Sequence, residues 1–162
     1  MTAKKQRLQP AQLAQLAHQL QKIFEEHVPF NKFLALKISS LDPKHPKIRF
    51  DMRPELIGNP RRQILHGGVI SSVLDVMAGV VIHIALFEQQ GAPTMTDDGH
   101  PEFPNIGTID LRVDYLRPGR GAHFIASGEV VRMGKRIAVA HMQLENDAGE
   151  LIATGSAAYV VG

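Results

Sequence analysis

Residues 67–87 read GGVISSVLDVMAGVVIHIALF, and this stretch decides the fold. It contains no proline and is apolar on nearly every side. At 1.5 Å per residue it makes roughly five to six helical turns, whereas a strand of that length would be unusual despite the β-branched content. A helix apolar almost all round belongs at the centre of a domain with other elements wrapped about it.

Working outward, residues 53–66 hold Pro54, Gly58, Asn59 and Pro60 and predict an irregular connection. Before them, Leu34–Leu41 and Pro46–Met52 alternate loosely around Asp42-Pro43, the pattern of a hairpin. Leu13, Leu16, Ala17, Leu20, Ile23 and Phe24 recur at helical spacing between Pro10 and Pro29, predicting an amphipathic helix over 10–27. On the far side, residues 88–105 around Asp97-Asp98 read as an exposed loop. Ile109, Leu111, Val113 and Tyr115 then alternate with Asp110, Arg112 and Asp114. Further strands follow at about 122–133, 136–146 and 150–161, separated by Met133-Gly134-Lys135 and by Asn146-Asp147-Ala148-Gly149. These four strands predict an antiparallel meander. The sum is an α+β domain, with a curved antiparallel sheet around helix 67–87 and an extra N-terminal helix.

The 162 residues fit one domain, here divided into a helical extension over 1–27 and a single domain over 28–162. Hydrophobic residues make up 44% of the chain, but aromatics only 6%, so aliphatic side chains must fill the core. With 18 basic and 16 acidic residues the net charge is +2, and no basic block dense enough for nucleic acid appears. Cysteine is absent, which excludes disulfides, thiolate metal sites and Cys nucleophiles and fits a reducing compartment. The basic, Gln-rich start lacks the apolar core of a signal peptide. No run is taken to reach the ~18–20 apolar residues that span a bilayer. A soluble cytoplasmic protein is expected, with no membrane, metal or bound cofactor.

Chemistry points to Asn59, His66-Gly67-Gly68 and Asp75. The two glycines open the long helix, where the first N–H groups lack intrahelical partners and the dipole is positive. Such amides can hold an oxygen on which charge develops. The alternative is that the glycines serve close packing and His66 caps the helix. Asp75 is the one charged residue between His66 and Glu88. A carboxylate in an apolar helix needs a partner, and is a candidate base or nucleophile; the alternative is a paired structural aspartate. Gly68, Ser71, Ser72, Ala78 and Gly79 share its side of the helix, while Val69, Val73, Val76, Met77 and Val80 form the bulky flank. The nine residues from His66 to Asp75 advance ~13 Å and turn two and a half times. One subunit therefore cannot bring Asp75 to its own Gly67. Two antiparallel central helices can, through the small face, so a homodimer follows from the chemistry. His83 and His141 read as satisfied core histidines, and the remaining histidines show no metal-ligand spacing.

The stretches ILHGGVISSVLDVMAG, GTIDLRVDYLRPGRG and VAHMQLENDAGELIATGSAAYVVG, with VPFNKFLALKI ahead of them, resemble the PaaI-type hotdog-fold thioesterases. The chain is especially similar to the bacterial YigI-like acyl-CoA thioesterases, and the resemblance covers about residues 28–162. The resemblance implies a hotdog fold dimerised through edge strands, and hydrolysis of medium- to long-chain acyl-CoA in fatty acid metabolism. It implies that the Gly67 amide binds the thioester carbonyl, helped by His66 and Gly68, and that Asp75 activates water or attacks the carbon. Asn59, seven residues before His66, takes the substrate-positioning role, and Thr108 assists the acid. CoA, as part of the substrate, would run past Arg117, Pro118, Gly119 and Arg120 and past Arg132, Gly134, Lys135 and Arg136, whose charges suit phosphates. Two other readings remain: a hotdog enoyl-thioester hydratase or dehydratase, and a non-catalytic acyl-CoA-binding protein. Pairing of dimers into a tetramer stays open.

Overall fold

The long apolar stretch is a helix, Gly67–Gln90, and a sheet of six antiparallel strands is wrapped around it. This is a computed structural model, and it describes residues 18–90 and 102–162. The N-terminal half of helix 10–27 and Asp97-Asp98 therefore lie outside the described residues. Residues 18–27 are helical and end in a π-turn at Ile23–His27, where Val28 N bonds to Ile23 O. Leu20 from this segment is buried in the core.

Pro29 does not simply end that helix. It opens a new one, α1 (Pro29–Leu34), as proline at a first helical position can. Strand character therefore begins later than Leu34, after Ala35 turns the chain with a φ of 54°. β1 (Lys37–Ser40) and β2 (Lys47–Asp51) form the expected hairpin. The connection over 53–66 is more ordered than its composition suggests. A 3-10 turn at Pro54–Leu56 leads into β3 (Ile57–Asn59) and β4 (Ile64–Leu65), a small separate pair. The central helix, α2, then continues three residues past Phe87, into the expected loop.

Four strands follow: β5 (Gly107–Tyr115), β6 (His123–Met133), β7 (Ile137–Asn146) and β8 (Leu151–Val160). They are not one meander. The sheet order is β1-β2-β6-β7-β8-β5, so β6, β7 and β8 pair in sequence while β5 adds to the far side of β8. Alternation identifies a strand but not its neighbour, and the crossover at 116–122 carries the chain from one edge to the middle. Asn146 fastens that crossover: its amide donates to Arg120 O (2.8 Å), and its Oδ1 accepts from the Ala148 and Glu150 amides in the β7–β8 turn.

The core lies between α2 and the inner face of the sheet. Val73, Leu74, Met77, Val80 and Ile82 meet Phe124, Ala126, Ala140 and Leu144, all fully buried. By length and composition α2 would suffice to cross a membrane, contrary to the sequence expectation; 61% of its most apolar window is buried against this sheet. His83 is a core histidine as expected, ringed by Phe24, Phe87 and Phe103. His141 is not. Ala140 and Met142 point inward, so the period of two turns His141 to the exposed outer face.

Candidate active site

α2 starts where His66 makes it start. The imidazole Nδ1 accepts the Gly68 amide at 2.8 Å, and the His66 carbonyl accepts the amides of Val69 and Ile70. This leaves the Gly67 amide without an acceptor among the described residues, at the positive end of a 24-residue helix. The two readings of the motif are thus compatible: His66 caps the helix and thereby reserves one N–H. Its tautomer follows, because a ring nitrogen that accepts carries no proton. The turn is tightly backed. A Cβ on Gly58 would stand 2.5 Å from His66 Cα, and one on Gly119 would stand 2.9 Å from Leu65 Cβ. Tyr115 donates to the Gly67 carbonyl at 3.1 Å.

Asn59 lies on β3 beside this turn, but its Oδ1 is occupied by the Arg61 and Arg62 amides at 3.2 and 3.1 Å. That is a side-chain-built turn closing the β3–β4 hairpin. No hydrogen bond joins Asn59 to His66 or Gly67 within the protomer.

Asp75 sits half-buried two turns further along. Thr108 Oγ1 donates to Asp75 Oδ1 at 2.9 Å, and the Tyr159 hydroxyl lies 2.6 Å from the same oxygen and 2.7 Å from the Asp75 carbonyl. Oδ2 has no partner among the described residues. A β-bulge explains how Thr108 arrives. The register jumps between Thr108↔Tyr159 and Asp110↔Ala158, leaving Ile109 as the extra residue. Thr108 therefore faces α2 together with Leu111 and Val113, although strict alternation would set it opposite them. The Tyr159 phenol is raised well above its ordinary value, first by burial and then by the adjacent Asp75 carboxylate, so it remains a neutral donor. Tyr159 was not among the sequence candidates. Its signal, one large side chain beside Gly155 and Ala157 on the inner face of β8, becomes readable only once the register is known.

The small face of α2 is narrower than expected. Ser71 and Ser72 are half-buried, their hydroxyls donating to Gly68 O at 3.1 and 2.7 Å. Ala78 and Gly79 are already buried within the protomer, and a Cβ on Gly79 would touch Ile106 and the Tyr159 hydroxyl.

The two basic turns lie at opposite ends of the protomer. Arg117–Arg120 follows β5 and adjoins the glycine turn, where the Gly119 carbonyl accepts the Leu65 amide. Arg117 is partly occupied, its guanidinium donating to Leu151 O at 2.8 Å. Arg132–Arg136 adjoins the other end, where the Arg136 carbonyl accepts the Val161 amide, two residues beyond Tyr159. Ala153, opposite Tyr115, and Tyr159 stand six positions apart on β8, ~20 Å of strand. Each protomer thus holds a glycine turn with one basic loop, and an Asp75–Thr108–Tyr159 cluster with the other. Among the described residues no three His, Asp or Glu side chains are grouped to share a metal ion.

The thioesterase superfamily model matches residues 62–153. The medium/long-chain acyl-CoA thioesterase YigI of Salmonella typhimurium is 40% identical over 140 residues, covering 86% of this chain and 90% of that protein. A Shewanella oneidensis crystal structure, related to the thioesterase superfamily, shares 41% identity with a TM-score of 0.82, covering 96% of this chain and 100% of that one. The Escherichia coli PaaI protein has a TM-score of 0.68 and covers 94% of each chain; at 20% identity it speaks for the fold alone. The family match spans more than half the chain and includes both Gly67 and Asp75, and the chain belongs to the thioesterase superfamily with its hotdog fold.

Proposed function

We propose that this protein hydrolyses acyl-CoA thioesters to free acid and CoA, acting as a homodimer whose two sites each combine Gly67 of one subunit with Asp75 of the other. The observation that carries this reading is the asymmetry of Asp75: Oδ1 is held by two hydroxyls while Oδ2 has no partner among the described residues. A carboxylate anchored by one oxygen presents the other to a reactant in a defined direction. The unengaged Gly67 amide supplies the complementary half, a donor for the carbonyl oxygen.

In this mechanism the thioester carbonyl rests on the Gly67 amide. Asp75 Oδ2 takes a proton from water as the water oxygen bonds to the carbonyl carbon. Negative charge passes to the carbonyl oxygen and is stabilised by the amide and the helix dipole. Collapse reforms the carbonyl, breaks the carbon–sulfur bond and releases CoA, whose sulfur recovers the proton held by Asp75. The partners of Asp75 within the protomer are hydroxyls rather than an imidazole, which favours hydrolysis over hydration of a double bond. An attack by Asp75 itself would pass through an acyl anhydride. Single-turnover hydrolysis in 18O water separates the two routes, because only the anhydride route labels Asp75.

Dimerisation is supported by β5. It is a sheet edge, and its exposed Ile109 and Tyr115 are apolar or aromatic groups that pairing would cover. Antiparallel pairing of helices brings each Arg117–Arg120 loop toward the partner's Arg132–Arg136 loop, giving CoA phosphates one basic track. The relative named for medium and long chains suggests the same substrates here. Thiol release measured across acyl-CoAs of increasing length tests this: activity should rise from short to medium and long chains. Absence of thiol release with every acyl-CoA would refute the function.

A further inference from the structure

Tyr159 makes more bonds to Asp75 than packing requires. Tyr159 is 4% exposed, and its single hydroxyl lies within 2.7 Å of both the carbonyl and Oδ1 of one residue. A buried hydroxyl needs only one acceptor. The Asp75 carbonyl already belongs to the α2 hydrogen-bond ladder, so it does not need a phenol to be satisfied. Likewise Oδ1 already has Thr108. What the double contact adds is orientation: one proton bridging backbone and carboxylate fixes the side-chain rotation of Asp75 relative to its own helix.

We propose that Tyr159 is a positioning residue for thioester hydrolysis, locking Asp75 through its carbonyl and Oδ1 so that Oδ2 meets the attacking water. This rests on the reading of Asp75 as the base. No other residue takes the place, because the inner face of β8 is otherwise small near Asp75, with Gly155 and Ala157. Thr108 alone leaves the carboxylate free to rotate about the shared oxygen.

The test compares Tyr159→Phe, Asp75→Ala and the double variant with the full-length enzyme in acyl-CoA hydrolysis. Loss of a hydrogen bond to a charged group predicts a roughly 10- to 100-fold fall in kcat for Tyr159→Phe. KM should stay within about twofold and Tm near the parent value, since no buried acceptor is stranded. The double variant should be no slower than Asp75→Ala. Parent-like kcat in Tyr159→Phe overturns the positioning role, as does a KM rise that merely follows a falling Tm. Full turnover by Asp75→Ala instead defeats the base reading itself, so the two failures are distinguishable. If Tyr159→Phe does not fold, site-specific 3,5-difluorotyrosine keeps shape and hydroxyl while making the phenol more acidic. Then kcat should fall as phenolate absorbance appears, and kcat flat across that titration overturns the proposal.

Discussion

Thr108 reaches Asp75, with Oγ1 2.9 Å from Oδ1, because β5 carries one residue too many at Ile109. Were Ile109 paired as an ordinary ladder residue, the hydroxyl would point away from α2. Thr108→Ala removes one of two donors on Oδ1 and should lower kcat by roughly 10-fold. Thr108→Ser should retain most activity. Deleting Ile109 takes out the extra residue itself and leaves Thr108 opposite Tyr159 on the inner face of a regular ladder, so most activity should remain. Steady-state thiol release checks all three.

Gly58 supports the oxyanion end by having no side chain. A Cβ there would meet His66 Cα at 2.5 Å, and backbone cannot move aside cheaply. Gly58→Ala should cost about 1–3 kcal/mol in stability. It should also reduce kcat at temperatures where the variant is fully folded, because the displaced His66 no longer sets the helix start. Thermal unfolding and kinetics on the same preparation measure the two effects.

The basic loops predict a charge effect on binding rather than chemistry. Arg120→Ala and Lys135→Ala should each raise KM for acyl-CoA several-fold with kcat nearly unchanged. KM of the parent should rise with ionic strength, and the variants should respond less, since screening removes what the substitution has already removed. Initial rates across a salt series test this.

His83 predicts how stability depends on pH. Burial holds its imidazole below the usual 6.5, outweighing the opposite pull of the Gly79 and Pro104 carbonyls. The unfolded chain therefore takes up this proton more readily than the folded one. The stabilising contribution is complete above pH 6.5 and is lost as pH falls from there through the lowered folded value. His83→Leu should flatten that part of the curve. Denaturant unfolding between roughly pH 7.5 and pH 5 reads it directly.

Much of this was legible in the sequence for physical reasons. α2 announced itself because no other arrangement buries so long an apolar run, and Asp75 stood out as the charge within it. The turns at 133–135 and 146–149 were legible because Gly134 and Asn146 have local jobs. A Cβ on Gly134 would stand 2.7 Å from Ile137 O, and Asn146 bonds the turn that it opens. What stayed hidden depends on distant partners. β5 alternates like its neighbours, but its pairing with β8 is set by the crossover. The bulge at Ile109, the outward turn of His141 and the approach of Tyr159 to Asp75 all follow from register. The covering of Ala78 and Gly79 follows from Ile106 and Tyr159.

The central claim is that no single chain holds a complete site, and mixed dimers test it. Asp75→Ala removes the carboxylate. Gly67→Pro removes the amide proton at a first helical position, where proline is tolerated. Each variant alone should be inactive. Coexpressed in equal amounts, random pairing makes half the dimers mixed, each with one intact site, and restores about a quarter of parental turnover. Thiol release near that level is the predicted result; a mixture as inactive as either variant alone would contradict a site shared between subunits.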